Sequence, residues 1–180
     1  MESMDKDQIV EANLREYEAF VALINELSPS EFESAPEGKW TPGQQMEHLA
    51  KSVKPLALAL HLPEPVLKWK FGVANRPSRT YEGLVARYLE KIQPGYVPQK
   101  QYQPRSVPFS DKEKWTRRLL RSVRVINRLI AKMSEEQLDR IIAPHPAIGK
   151  LTLREMMYFT IYHAEHHRKL ILRDREILNA

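Results

Sequence analysis

The sequence predicts an all-α protein, a four-helix bundle with one long crossover connection. Several segments begin with a capping box, in which a hydroxyl side chain and a Glu or Gln three residues later satisfy each other's free backbone amides. Glycine is scarce, at 6 of 180 residues. No β-hairpin signal and no repeat of solenoid length stands out. We therefore expect helix packed on helix, with almost no sheet.

Four long helices and one shorter helix follow from these starts and from the helical periodicity, with ends placed to within ~2–4 residues. The long helices are predicted at 5–27, 42–60, 111–133 and 152–177, and the shorter one at 80–92. The second long helix begins with a capping box of Thr41 and Gln44, and Pro42 suits its first helical position. The third and fourth begin with the same pattern, at 110–113 (SDKE) and 152–155 (TLRE).

Two proline-rich segments, 62–79 and 94–109, connect the predicted helices. The second lies between the shorter helix and the third long helix, and we interpret it as a wrapped loop that forms the long crossover. In the first segment, Trp69 and Phe71 either line the mouth of a pocket or pack against the bundle. A further capping pattern at 134–137 (SEEQ) predicts the start of a short helical turn.

Length, composition and charge bound the class of protein. The chain has 180 residues and 42% hydrophobic content, which fits a single domain over 1–180 with a sizeable core. It contains no cysteine, so disulfides and thiolate-metal sites are excluded. The first residues show no signal peptide, and the longest apolar run, 56–60, is far shorter than a membrane span, so we expect a cytoplasmic protein with no membrane partner. The net charge of +5 favours an anionic partner without deciding on one.

The last predicted helix carries two histidines on its apolar face. At about 100° per residue, the side chains within about 40° of His163 form one stripe. They are Met156, Phe159, His167, Leu170 and Ile177. Because His163 and His167 are four residues apart, they project from successive turns and can bind one ion. In the H-E-x-x-H motif of metalloproteases a glutamate follows the first histidine, but Ala164 occupies that place here, so the protease interpretation lacks its general base.

A metal site usually needs a third protein ligand, and His48 is the best placed candidate. It lies two turns into the second long helix, on a face whose other residues are polar or small, as in the wall of a cavity. These residues are Gln44, Ser52, Pro55 and Ala59. For either helical position alone, a buried neutral histidine with one hydrogen-bond partner is the simpler explanation. The spaced pair together with His48 favours metal binding.

The other histidines are weaker candidates. His61 follows the second long helix in a loop, and His145 lies between two prolines. His166 is about 60° from the stripe, and Glu165 points nearly the opposite way. We therefore expect His166 at the surface or near the metal without binding it.

Two segments, 39–49 (KWTPGQQMEHL) and 149–155 (GKLTLRE) continuing to 163–167 (HAEHH), resemble the DinB/YfiT-like superfamily of four-helix-bundle metalloproteins. The resemblance runs through nearly the whole chain. It implies that a histidine of the second helix joins an H-x-x-x-H pair of the last helix to hold a divalent ion. The matching positions are His48, His163 and His167.

The resemblance implies a metal-dependent enzyme that acts on a small molecule, either as a hydrolase or as a thiol S-transferase using bacillithiol, mycothiol or glutathione, and it also implies a homodimer. Imidazole ligands suit zinc or nickel, among other metals. Such an ion lowers the pKa of bound water towards ~7, or equally stabilises a thiolate, so the three histidines fit either reaction. Because binding needs neutral imidazoles, metal affinity is expected to fall below about pH 6.5.

An alternative function is a non-enzymatic nucleic-acid or protein binding module. It would use four arginines that share one face of the third long helix. These are Arg117, Arg121, Arg124 and Arg128. A solvated helix face, or an interface that pairs with acidic side chains of a second subunit, is the simpler interpretation, because no aromatic residues for base stacking are interleaved with the arginines. We expect no specific nucleic-acid binding.

Overall fold

A computed structural model describes residues 3–93 and 96–179 of the chain. The structure is mostly helical. The α-helices are α1 Lys6–Glu26, α2 Pro29–Glu33, α3 Pro42–Ala59, α4 Glu64–Phe71, α5 Tyr81–Lys91, α6 Lys112–Ala131, α7 Glu135–Arg140 and α8 Leu153–Asn179. Two short 3₁₀ turns lie at Lys100–Tyr102 and Phe109–Asp111, and two strands, β1 Ile142–His145 and β2 Gly149–Thr152, form one antiparallel hairpin.

The four long helices α1, α3, α6 and α8 form the bundle, and their bounds agree with the predicted ones to within about two residues. Helix α1 packs against α6 and α8, and α3 packs against the same two helices. Large side chains from all four fill the core between them. They include Tyr17, Phe20, Met46, Leu49, Ile126, Ile130 and Tyr158. The chain crosses from α3 to α6 through α4, α5 and the 3₁₀ turns, which confirms the long crossover.

A buried polar contact fixes three of these helices relative to one another. The Asn13 amide of α1 donates to Asn127 Oδ1 of α6 over 2.7 Å, and the Thr160 hydroxyl of α8 lies 3.0 Å from Asn13 Oδ1. All three side chains are buried. Because buried polar groups are costly unless paired, this contact favours one register of α8, the helix that carries the histidine pair.

Three of the four predicted capping boxes are present, at Thr41 and Gln44, at 134–137 and at 152–155. The one predicted at 110–113 is wrong. Ser110 lies inside the 3₁₀ turn Phe109–Asp111, and the N-cap residue of α6 is Asp111, whose backbone is already helical and whose side chain makes no capping bond. An extended N-cap residue is needed for a capping box, and the 3₁₀ turn removes it.

Two regular elements appear where the sequence predicted only connections. Helix α4 lies within the proline-rich segment 62–79, because Pro65 falls in its first turn, where a proline costs no hydrogen bond. Gly72, with φ of 93°, ends that helix in a conformation that favours glycine. The β1–β2 hairpin was also missed, since each strand has only four residues and the first contains Pro144.

Glu155 connects the segment after α4 to the start of α8. Its buried carboxylate accepts two hydrogen bonds from the Arg76 guanidinium, at 2.7 and 2.8 Å, and two from the backbone and side chain of Arg79, at 2.8 and 3.0 Å. It also accepts from the backbone amide of Thr152, as the N3 residue of the capping box. These bonds lower the pKa of Glu155 although its burial acts to raise it. The carboxylate therefore fixes the segment after α4 to the first turn of α8.

In the residues that the structure describes, no helix combines the length and the apolar character needed to cross a membrane.

Candidate metal centre

Helix α8 presents His163 and His167 to the interior of the bundle. Both are buried, at 3% and 4% exposure, and their Nε2 atoms lie 3.1 Å apart. The stripe predicted around them is buried from Met156 to His167, and Leu170 is half-buried. At Ile177 the prediction is wrong, since that side chain is 55% exposed near the end of α8. The spacing of four residues places the two imidazoles on successive turns of one face.

Helix α3, which packs against α8, brings His48 to the same point. Its side chain is buried, and its Nε2 lies 3.1 Å from the Nε2 of His163. One ring nitrogen from each of His48, His163 and His167 lies within 4.8 Å of the other two. The structure thus brings together the three residues that the sequence singled out.

Hydrogen bonds at the far sides of two rings decide which nitrogens face the centre. His48 donates from Nδ1 to the Tyr102 carbonyl over 2.7 Å, and His167 donates from Nδ1 to Gln45 Oε1 over 3.0 Å. The Gln45 amide is itself oriented, because its Nε2 donates to the Trp40 carbonyl over 3.2 Å. With their protons on Nδ1, both neutral rings direct Nε2 lone pairs towards the centre.

His163 completes the cluster in a different way. Its Nε2 faces the acceptor nitrogens of both His48 and His167, so that three ring nitrogens meet with at most one proton among them. Its Nδ1 is buried without a hydrogen-bond partner in the part of the chain that the structure describes. Zinc bound to imidazoles at 2.0–2.1 Å in tetrahedral geometry separates two ligand nitrogens by about 3.3 Å. The observed 3.1 Å separations are close to that value, so the donor set fits a divalent ion.

Burial keeps all three imidazoles neutral. It is the largest cause of the lowered pKa of His48, and it lowers the pKa of His163 and His167 well below 6.5, with the neighbouring imidazoles adding to the effect. The neutral ring is the form that binds metal. We therefore expect metal affinity to fall at a lower pH than the sequence alone indicates, because protons compete for these rings only in more acidic solution.

The histidine cluster opens onto a cavity of about 510 Å³. Ser52, Pro55 and Ala59 of α3 line it, as the sequence predicted for the face of His48, whereas Gln44 lies outside it. Phe71 also lines the cavity, but Trp69 is 86% exposed on the outer surface of α4. The volume is in the range of cavities that take small molecules.

Polar groups in the cavity wall are few and none is acidic among the residues that the structure describes. Aside from the histidines, the wall has one cationic side chain, Lys39, and a majority of apolar and aromatic residues. Trp40 covers the cluster, with its ring nearly parallel to His167 at 6.3 Å and tilted towards His48 at 5.0 Å. An apolar wall of this kind keeps water away from the imidazoles and strengthens local electrostatic interactions.

The crossover loop is tied to α3 on either side of His48. Glu47 accepts a hydrogen bond from the Arg105 backbone amide over 2.5 Å, and the Lys51 ammonium donates to the Gln103 carbonyl over 2.9 Å. Together with the bond from His48, these contacts fix the loop against the helix and hold the imidazole in one orientation. Loop carbonyls have no sequence signature, so the partner of His48 was not predictable.

The remaining three histidines lie outside the three-histidine cluster. His166 is half-buried in the cavity wall, and its ring is 5.3 Å from that of His167, but it is not part of the three-histidine cluster. His61 lies outside both the cluster and the cavity wall, and its Nδ1 donates to the Ala57 carbonyl near the end of α3. His145 was ranked as a weak ligand candidate from the sequence, and the structure places it in the cavity wall outside the cluster.

The four arginines of the third long helix lie on α6, away from this site. Arg117, Arg121, Arg124 and Arg128 are all exposed, and Arg117 lies 3.9 Å from Glu113. None of them lines the cavity.

Comparison with known proteins identifies the family. No curated protein matches the chain. A sequence model of the DinB superfamily matches residues 13–171, a range that runs from α1 into the last turns of α8 and includes His48, His163 and His167. The match covers most of the chain and agrees with the helical bundle, and the chain therefore belongs to the DinB superfamily.

Proposed function

We propose that this protein is a metal-dependent enzyme that acts on a small molecule, with His48, His163 and His167 as the ligands of one divalent ion, zinc or nickel. One observation carries the proposal: three buried, neutral imidazoles converge on a point at the wall of a cavity of about 510 Å³. A structural metal site is closed by four protein ligands, whereas a catalytic site keeps a position free for water or substrate. Three ligands beside a cavity match the second arrangement.

Within this proposal, thiol S-transfer is favoured over hydrolysis. No Asp or Glu is among the described residues of the cavity wall, so no carboxylate is available there to accept a proton from water. When bound, a divalent ion at three neutral imidazoles lowers the pKa of a thiol or of water that joins it. A free thiol already has a pKa near ~8.5, far below that of water, and so needs less assistance. Hydrolysis is the second candidate reaction.

The protein's own residues would orient and protect the site. Gln45 and the Tyr102 carbonyl hold two imidazoles with their lone pairs towards the ion, and Trp40 excludes water from one side. Lys39 supplies a positive charge in the cavity wall, where it can pair with a carboxylate of a substrate or of a thiol cofactor.

The proposal is tested on protein purified without a histidine tag. Elemental analysis is followed by a screen in which glutathione, bacillithiol or mycothiol is offered with an electrophile such as 1-chloro-2,4-dinitrobenzene. We expect a bound divalent ion and conjugation above the uncatalysed rate, with both lost in His163→Ala. Conjugation by His163→Ala at the wild-type rate would contradict the assignment. Ester or amide hydrolysis in place of conjugation would support the second reaction.

The arginine face of α6 offers a separate, non-enzymatic function as a binding module for nucleic acid or protein. We infer that any DNA affinity is weak and steeply salt-dependent, because it would rest on exposed arginines without aromatic residues between them. A fluorescence anisotropy titration at physiological salt checks this. Tight, sequence-dependent binding would make the binding module the better interpretation.

We further propose a cytoplasmic homodimer, in line with the resemblance described for the sequence. Light scattering that gives a single 21.0 kDa particle would contradict the dimer.

A further inference from the structure

One ring nitrogen of His145 accepts hydrogen bonds from the turn of the β1–β2 hairpin. The backbone amides of Ala147 and Ile148 both donate to His145 Nδ1, each over 3.2 Å. A nitrogen that accepts hydrogen bonds carries no proton, so the neutral ring must hold its proton on Nε2. The turn thus fixes the tautomer of this histidine.

The ring of His145 is buried in the cavity wall between aromatic side chains. It lies 4.1 Å from the ring of Phe159 and 6.4 Å from that of Tyr88, in both cases edge to face. Burial lowers its pKa to about 4, so it is neutral at physiological pH. The Nε2–H group has no hydrogen-bond partner among the residues that the structure describes. His145 therefore brings a fixed, neutral donor to a largely apolar cavity.

The position of His145 separates it from the three-histidine cluster. Phe159 lies between the two, because its ring stacks on His163 at 4.7 Å on one side and meets His145 on the other. The donor is consequently not a fourth ligand of the cluster. It is a second polar group in the wall of the same cavity.

We propose that this cavity binds small apolar molecules that carry an oxygen-acceptor head group, carboxylates above all, and that His145 Nε2–H donates a hydrogen bond to that head group. The charges of the cavity agree with this class: the described wall has Lys39 and no acidic side chain, so an anion is favoured over a cation. The apolar majority of the wall suits a hydrocarbon or aromatic body. The inference rests on the proposed function in taking this cavity as the substrate site, and it adds the class of substrate.

One substitution separates recognition of a ligand from support of the turn. In His145→Asn, the side-chain Oδ1 replaces Nδ1 as the acceptor for the amides of Ala147 and Ile148, as in an Asx turn. The shorter side chain has nothing at the position of Nε2. The variant therefore keeps the turn and leaves no N–H at the position of Nε2, because the asparagine Nδ2 group lies closer to the backbone. Circular dichroism with thermal unfolding verifies that it folds.

The probes are 4-phenylbutanoate and 4-phenylbutylamine, which share a body and differ in the charge of the head group. Binding is measured by calorimetry on wild type and His145→Asn, each in metal-loaded and chelator-treated form, with metal content determined in parallel. In the chelator-treated form, where no ion attracts the carboxylate, we expect wild type to prefer the acid at least about tenfold and His145→Asn to lose at least about tenfold of acid affinity, as for a hydrogen bond to a charged group. Amine binding should not change.

Several results would overturn the inference. They are equal affinity of wild type for acid and amine, acid binding by His145→Asn within about twofold of wild type, or no binding of either probe. Nitrogen-15 NMR of wild type gives an independent check, since Nδ1 must be unprotonated and the Nε2–H resonance must move when the acid is added. If wild type holds no metal but His145→Asn still loses the acid, the proposed function fails while this inference stands. If wild type binds metal but His145→Asn binds the acid as tightly as wild type does, this inference fails while the proposed function stands.

Discussion

Replacing Gln45 with leucine is expected to weaken divalent-metal binding about 10- to 100-fold. Gln45 is only 2% exposed, and its Oε1 accepts the Nδ1–H of His167, which is itself buried. A metal at Nε2 requires the His167 proton to stay on Nδ1, where leucine offers no acceptor and water has no access. An unsatisfied buried donor costs about 1–3 kcal/mol, which corresponds to the stated loss of affinity.

The loss should fall on metal binding more than on folding. In the metal-free variant, His167 can move its proton to Nε2 and so avoid the unsatisfied donor, whereas the metal-bound form cannot. Competition with a chromophoric chelator measures the affinity. The matched control is Gln45→Glu, which has the same size as the wild-type side chain. It keeps an acceptor for Nδ1–H and loses only the bond to the Trp40 carbonyl, so its affinity should lie well above that of Gln45→Leu. Affinity of Gln45→Leu within about twofold of wild type would refute the reasoning.

Two further predictions concern stability. Glu155→Gln should lower the free energy of unfolding by about 2–4 kcal/mol, because it leaves the half-exposed Arg76 and Arg79 without their carboxylate. Urea denaturation measures this change, and a decrease under about 0.5 kcal/mol would contradict the prediction. The pKa of His145 is lowered to about 4, so its imidazole takes up a proton at higher pH in the unfolded chain than in the folded one. As the pH falls from about 6.5 to about 4, the free energy of unfolding of wild type should therefore decrease by about 3 kcal/mol relative to that of His145→Asn. Urea titrations of both proteins across this range measure the difference, and parallel curves would argue against it.

The parts of the fold that were predictable depend on local patterns. A capping box and a helical period involve residues within a few positions of one another, so α3 and α8 could be placed before the structure was known. The three-histidine cluster was predictable from local patterns as well, because two of its members share a helix face and His48 follows the capping box that begins α3. The location of Gln45 near the cluster was also predictable, because it lies three residues before His48 and therefore close to the same helix face.

The parts that were missed depend on contacts between distant segments. Strands of four residues, one of them containing Pro144, carry no period that distinguishes them from a loop. The environment of His145 depends on that hairpin, and it became visible only with the turn in place. Tyr102 orients His48 through its backbone carbonyl. Every residue type has this group, so the sequence does not indicate the contact. Ile177 fits the apolar stripe but lies near the end of α8, where the bundle no longer covers it.

The metal content of three proteins tests the central claim most directly. Wild type, His163→Ala and His166→Ala are purified without a histidine tag, exposed to zinc or nickel, and analysed for metal per chain. We predict one ion in wild type and in His166→Ala, because His166 lies in the cavity wall outside the cluster. His163→Ala should lose most of the ion and retain the helical fold. Equal loss of metal from His166→Ala and His163→Ala, or no divalent ion in wild type at neutral pH, would contradict it.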